Sequence, residues 1–345
     1  MRHKTRVFEQ LVAWRDDGIA CVLAFVQRTE GSTYSKCGDF IVIAADGSYQ
    51  GLVSGGCVEG DLALRAAQVA ATGQSDRVIY DLGGDHDALW GMGAGCDGTL
   101  EIVLVSVADA FERVIRSAIA NYLAGIAGVL VLPDAGSVGY VDEQEQDQSS
   151  VNLDDGFRQV ADRQLHDRAS TFVADSPDGA SALYVFIQPA PRLLVCGAAP
   201  DALPLIEFAD LLGWRTTVFD HRPAYIDGLV DRATTDQYCA SASELAASVD
   251  LLHQDAVMVM SHHLDSDFQY LKAIGNYRHW HYVGLLGPRH RRDRLLARLD
   301  VDSKCYLEAV ISGPAGMDIG GREPAVIALS IIAELQQVFN VAMRV

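Results

Sequence analysis

Apolar positions at the start of the chain pass from a helical to an extended period. Phe8, Leu11 and Val12 recur at helical spacing, and Ile19 to Gln27 follows as a strand-like apolar run. A loop from Gly31 to Gly38 leads to a second such run, Phe40 to Ala45, and Asp46-Gly47 marks a hairpin turn into Tyr49 to Val53. A helix is expected over Cys57 to Ala71, with strands near Val78 to Asp81 and Thr99 to Val107. These elements predict an N-terminal α+β domain over residues 1–107. From Ala108 the pattern weakens into a helix to about Leu123, two short strands, and the polar run Asp142 to Ser150, which reads as a solvated loop. Strand-like Thr171 to Ala174 and Leu183 to Gln188 follow, so residues 108–188 read as a middle segment completing or bridging the first domain.

Pro189-Ala-Pro191 is a stiff break, and beyond it strands alternate with helices. Arg192 to Cys196, Thr216 to Phe219, Ala256 to Met260 and Tyr282 to Leu286 read as strands, with a helix over Pro200 to Leu212 and another over Pro324 to Phe339. Repeated βα units predict a Rossmann-like, doubly wound parallel sheet over residues 189–345 and an α/β fold class for the chain.

Composition narrows the class. The chain has 345 residues and 49% apolar content, enough for two well-developed cores, and a formal charge of −19. That field repels polyanions, which argues against nucleic acid and anionic membrane as partners; a small anionic ligand needs a local cationic pocket. Seven scattered cysteines without a CxxC pairing are not a disulfide framework. No apolar run approaches the ~20 residues of a membrane span. The expected location is a reducing cytoplasm.

Chemistry concentrates at glycines. Ser54-Gly55-Gly56-Cys57 ends a strand-like run and opens a helix, where unpaired amides and the helix dipole stabilise a thiolate, and glycines admit a ligand close to the backbone. Glu59, on the same helix start, is read either as a group that orients substrate or moves a proton, or as a carboxylate serving the dipole. A second glycine-set thiol, Cys96, precedes the strand at Thr99. Cys21 and Cys196 read as core. Asp85-His-Asp87 has metal-ligand residue types without a metal-ligand spacing, and reads as a solvated loop.

In the C-terminal half, Gly197 starts a dinucleotide-type turn in which Ala199 replaces the middle glycine, and Asp220 ends the second strand, where a ribose acceptor belongs. The fold is therefore open to two readings, a working nucleotide site or a vestigial one. His262, after the third strand, can donate to an anion or move a proton. Gly287-Pro-Arg289 opens a helix in an arrangement suited to phosphate. Arg291 and Arg292 read as an exposed basic face. Gly313 to Gly321 is a glycine-rich loop before the last helix.

Together these segments resemble the xanthine dehydrogenase accessory protein family of the XdhC/CoxI type. The resemblance runs through Gly31-Ser-Thr33, Ser54-Gly-Gly-Cys-Val-Glu-Gly60, Gly91-Met-Gly-Ala-Gly-Cys96, His262 with Asp267, Tyr282 to Arg289, and Gly316-Met-Asp-Ile-Gly320. It implies a maturation factor that binds molybdenum cofactor (molybdopterin), supports its sulfuration, and inserts it into a molybdenum hydroxylase such as xanthine dehydrogenase. Cys57 would then contact the metal centre and Cys96 line the same cleft, with a cysteine desulfurase as a further partner and a homodimer as the assembly. On this reading the protein is a cofactor chaperone more than a catalyst. Two rivals stand beside it: an NAD(P)-dependent oxidoreductase using the Rossmann half, and a thiol-based sulfur carrier without cofactor affinity.

Overall fold

The computed structural model describes residues 2–56, 58–82, 98–134, 138–143, 153–167, 171–229 and 234–342. It divides into two units, His3–Pro189 and Ala190–Val345.

In the first unit, β1 (Cys21–Gly31) is the centre of an antiparallel sheet. β2 (Phe40–Ala44) and β3 (Tyr49–Gln50) extend it on one side. β4 (Asp76–Asp81) and β5 (Gly98–Ser106) complete the order β3-β2-β1-β5-β4. Residues Cys21 to Gln27 of β1 are all buried, so the strand is one apolar run without alternation. The helix Glu59–Thr72 covers one face, packing Leu62, Ala66 and Val69 on Val22, Ala24, Val26 and Ile102. Phe8 of the helix Arg2–Asp16 closes on Phe40, which in turn meets Phe25, at ring spacings of 5.4 and 5.2 Å.

A second antiparallel sheet belongs to the same unit. β6 (Gly128–Pro133), β7 (Gly139–Asp142), β8 (Phe172–Asp175) and β9 (Ser181–Ile187) pair in the order β7-β6-β9-β8. The helix Asp155–Asp167 lays Phe157, Ala161 and Leu165, spaced four residues apart, against Val129, Val131 and Tyr184.

The second unit is the parallel sheet. β10 (Arg192–Cys196), β11 (Arg215–Asp220), β12 (Thr235–Cys239), β13 (Ala256–Val259), β14 (Tyr282–Leu285) and β15 (Ile311–Ser312) lie in the order β12-β11-β10-β13-β14-β15, every neighbouring pair parallel. This is the Rossmann order, which reverses direction between β10 and β13 and leaves a crevice there at the carboxyl ends of the strands. Successive residues of β10 serve opposite cores. Leu193 and Val195 meet the cluster of Trp214, Leu335 and Phe339, whereas Leu194 and Cys196 join Phe219, Tyr270 and Val283 on the other face. Cys21 and Cys196 are both core residues, and burial pushes both thiols up, Cys21 to about 11. Among the described residues, no helix is long and apolar enough to cross a membrane.

Candidate functional site

Two candidate sites stand out, one in each unit. In the first, the helix begins at Glu59, two residues later than the glycine-cysteine motif suggested, with Val58 at its N-cap. The chain before it curls back over the Glu59 side chain. Glu59 Oε1 accepts from the amides of Val53 and Ser54, both at 2.9 Å, and Oε2 accepts from the Gly56 amide at 3.1 Å and from the Ser54 hydroxyl. Ser54 Oγ in turn accepts from the Val58 amide at 2.9 Å.

Four donors on one carboxylate make Glu59 the pin of this loop. It is 1% exposed. Burial pushes its carboxyl up, but the Ser54 hydroxyl and the Val53 and Ser54 amides together hold it below the usual carboxylate range. Gly55 and Gly56, by contrast, are exposed, with φ of 77° and 105°. Among the described residues, a Cβ on Gly56 would meet nothing within 4 Å, and one on Gly55 would meet only Tyr34 Cδ2 at 3.9 Å. The structure thus brings Ser54, Gly55, Gly56 and Glu59 together. Cys57, Cys96 and Asp85-His-Asp87 lie outside the described residues. Among the described residues, no group of three or more His, Cys, Asp or Glu side chains is arranged to hold a metal ion.

The second site is the switch-point crevice. Gly197, at φ 121°, passes so close to the end of β13 that a Cβ would lie 2.7 Å from the Met260 carbonyl carbon and oxygen. Its neighbour Ala198 donates its amide to Asp220 Oδ2 at 2.7 Å. Asp220 is completely buried and also accepts from Arg222, whose amide and Nε reach Oδ1 at 2.9 Å and whose Nη2 reaches Oδ2 at 2.6 Å. Burial raises this carboxyl, yet the guanidinium and the two amides hold it below its ordinary range. The carboxylate that a dinucleotide ribose would need is sealed by the protein's own cation.

On the other side of the switch point the crevice is open. A cavity of about 590 Å³ lies against the ends of β13 and β14, walled by apolar Leu205, Met260, Ile327 and Ile331. His262 lines it, and it is the single non-glycine residue at positive φ (61°) among the described residues. Its Nε2 donates to Asp201 Oδ2 at 2.7 Å.

Arg291 lines the same cavity, with Nε at 3.2 Å and Nη2 at 2.6 Å from Oδ2 of the buried Asp267. Ser261 also donates to Asp267, through its amide at 3.3 Å and its hydroxyl, which ties the β13 and β14 loops together. Arg289 is exposed and stands outside this wall; two residues further round the helix Arg289–Leu296, Arg291 turns inward. The sequence carried a signal for it in Gly287, whose φ of 118° and missing Cβ accommodate Arg291 Cδ, 2.8 Å from where that Cβ would be. Arg322, also in the wall, was not singled out by the sequence pattern.

A family model described as the XdhC Rossmann domain matches residues 193–335, and one described as the XdhC and CoxI family matches residues 14–81. The chain is 30% identical over 332 residues to a probable xanthine dehydrogenase subunit of Bacillus subtilis (strain 168), covering 95% of this chain and 96% of that one. It is 23% identical over 322 residues to the molybdenum cofactor insertion chaperone PaoD of Escherichia coli (strain K12), covering 93% and 84% of the two chains. The crystal structure of a xanthine dehydrogenase from Bacillus halodurans superimposes with a TM-score of 0.77 at 26% identity, covering 97% of this chain and 96% of that one.

Proposed function

The chain belongs to the XdhC and CoxI family, and from that premise we propose that it is an accessory factor that holds molybdenum cofactor as cargo and inserts it into a molybdenum enzyme. The observation that carries the reading is the Glu59-pinned loop, which presents two exposed, positive-φ glycines immediately before Cys57 within the segment matched to that family. Exposed glycines fit a flat ligand lying on the backbone, and a thiolate beside a helix start suits a thiophilic metal. Glu59 acts here as a positioning residue: it fixes the course of Val53 to Gly56, the backbone that leads up to Cys57 in the sequence. Ser54 relays that hold to the Val58 amide.

Finer parts of the proposal follow the same line. The client is a xanthine dehydrogenase-like molybdenum hydroxylase, and the factor supports sulfuration with a cysteine desulfurase supplying sulfur, as a cytoplasmic homodimer. Cys96 lines the cofactor cleft with Cys57. The dinucleotide alternative lacks an available ribose acceptor, because Asp220 is engaged with Ala198 and Arg222.

The test is the molybdenum and pterin content of protein purified from cells that make the cofactor. Both are expected in the native protein and strongly reduced in Cys57→Ala. Absence of both from the native protein rejects the proposal.

A further inference from the structure

We propose that the first unit binds a small uncharged molecule, with an apolar body and an amide or hydroxyl hydrogen to donate, in a cavity between its two antiparallel sheets. The inference does not depend on the cofactor-handling role of the Gly55-Gly56 loop. Those glycines precede the start of the helix Glu59–Thr72, whereas Gly73 to Arg77, past its other end, line the cavity, so the length of that helix, about 20 Å, lies between the two sites. They also lie on opposite faces of the sheet. Val103 and Val105 line the cavity, whereas their neighbours Ile102 and Leu104 join the core under that helix.

Gln27 carries the inference. β1 is apolar and buried from Cys21 to Val26, and the polar side chain that follows is just as buried, at 2% exposure, with an Oε1 that has no hydrogen-bond partner among the described residues. That side chain lines the cavity. A β-bulge places it there: Val26 pairs with Ile102 and Arg28 with Glu101, which leaves Gln27 as the extra residue of β1, and bulges of this kind re-aim side chains beside functional sites. The Gln27 carbonyl is occupied, accepting from Cys37 Sγ at 3.0 Å. Its backbone is thus held while its side-chain acceptor is left over. A buried amide oxygen without a donor opposes folding, so a ligand hydrogen delivered to Oε1 is favoured by the desolvation already endured in the empty protein.

Size, lining and charge define the ligand class. The cavity holds about 890 Å³, within the range of small-molecule sites, and Val103, Val105, Phe111, Leu132 and Leu183 give it an apolar wall drawn from both sheets and the helix Asp109–Ala124. The charged side chains that line it are already paired. Asp76 accepts from Arg65 at 3.0 Å, and Arg77 reaches Glu101 at 3.4 Å and also binds Asp134. An ionic ligand would have to break one of these pairs, and an anion would in addition meet the field of a chain of formal charge −19. A neutral donor disturbs none of them.

The experiment titrates the full chain, purified from cells unable to make molybdenum cofactor and isotopically labelled at glutamine, with matched probes that differ in the donor: indole against 1-methylindole, and benzamide against N,N-dimethylbenzamide, with benzoate as the charged control. In at least one pair the donor-bearing member is expected to bind about fivefold tighter than its methylated counterpart, the worth of one hydrogen bond, and to shift the Gln27 side-chain amide resonance, while benzoate binds more weakly than benzamide. Gln27→Met keeps the length of the side chain, identifies the resonance by its loss, and is expected to bring the ratio within a pair to about one without lowering the melting temperature, since no partner is removed. The comparison within each pair on the native protein needs no variant. Four results would each overturn the proposal: no binding by any donor probe, so that water alone serves Oε1; a donor preference that survives in Gln27→Met; benzoate binding tighter than benzamide; or a destabilised Gln27→Met, which would reveal a structural partner for the amide.

Discussion

Replacing Arg222 by methionine isolates the energetic role of the sealed Asp220. The methionine keeps an unbranched stem but removes the two side-chain hydrogen bonds at 2.9 and 2.6 Å, and the contact of the guanidinium with the Tyr225 ring 4.2 Å away. Asp220 would keep the amides of Ala198 and Arg222 and the His221 Nδ1 3.4 Å from its Oδ1. Breaking a buried ion pair from one side costs about 3–5 kcal/mol, because a charge is left unpaired in a poorly solvating site. The Arg222 side chain is 32% exposed, so water can enter as it leaves, which places the expected loss near the lower end, about 3 kcal/mol.

The loss depends on pH in a definite sense. In the native protein the folded carboxyl is held below its unfolded value, about 3.9. Its contribution is therefore present above that pH and disappears as pH falls through the depressed folded value. Without Arg222, burial dominates and the folded value rises above the unfolded one. Protonation then relieves the variant as pH falls, and its deficit shrinks between pH 7 and pH 4. Asp220→Asn combined with Arg222→Met removes the charge as well and is expected to recover most of the loss. Because two units need not unfold together, the assay is urea unfolding read by pulsed hydrogen exchange on peptides spanning β10 and β11. A deficit below about 1 kcal/mol, or one constant from pH 7 to pH 4, would show that the guanidinium does not neutralise a buried charge.

Gly197→Ala places a Cβ about 2.7 Å from the Met260 carbonyl at a φ of 121°, so the Rossmann unit should lose roughly 3 kcal/mol or more while exchange in the first unit stays unchanged. An alanine variant as stable as the native chain would contradict the close approach of that turn to β13. Glu59→Gln keeps the shape of the pin but removes its charge, and the amides of Val53, Ser54 and Gly56 should exchange at least tenfold faster. In the native protein the same hold is expected at neutral pH and to weaken as pH falls below about 4.3 and through the depressed folded value, since Glu59 is held low. Exchange indifferent to both the substitution and acid would remove Glu59 from its positioning role.

What the sequence revealed and what it hid divide along physical lines. β10 and β1 were legible because each is buried on both faces, so apolarity is continuous along the strand. β12 was not, because Thr235–Cys239 is an edge strand with only Thr235 buried and carries hardly any apolar pattern. The helix Asp155–Asp167 escaped notice because its buried stripe is narrow, one residue per turn, within an otherwise polar segment. At the sites, residue type and position along a strand located Gly197, Asp220 and His262, but not their partners.

That Asp220 faces Arg222 depends on a turn that folds position i+2 back on i, and that Arg291, not Arg289, enters the cavity depends on helix phase after Gly287-Pro288. Neither is encoded in a residue alphabet. The missing Cβ at Gly287 is the instructive exception, since its φ of 118° and the 2.8 Å approach of Arg291 Cδ require glycine there. A glycine just before a basic helix is therefore informative about which arginine lies over it. Seen this way, the pairing of two crevice arginines with buried aspartates, Arg222 with Asp220 and Arg291 with Asp267, has different consequences on the two sides of the switch point. On the β11 side the aspartate also binds the turn amide and closes the site, whereas on the β14 side it anchors an arginine that lines an open cavity.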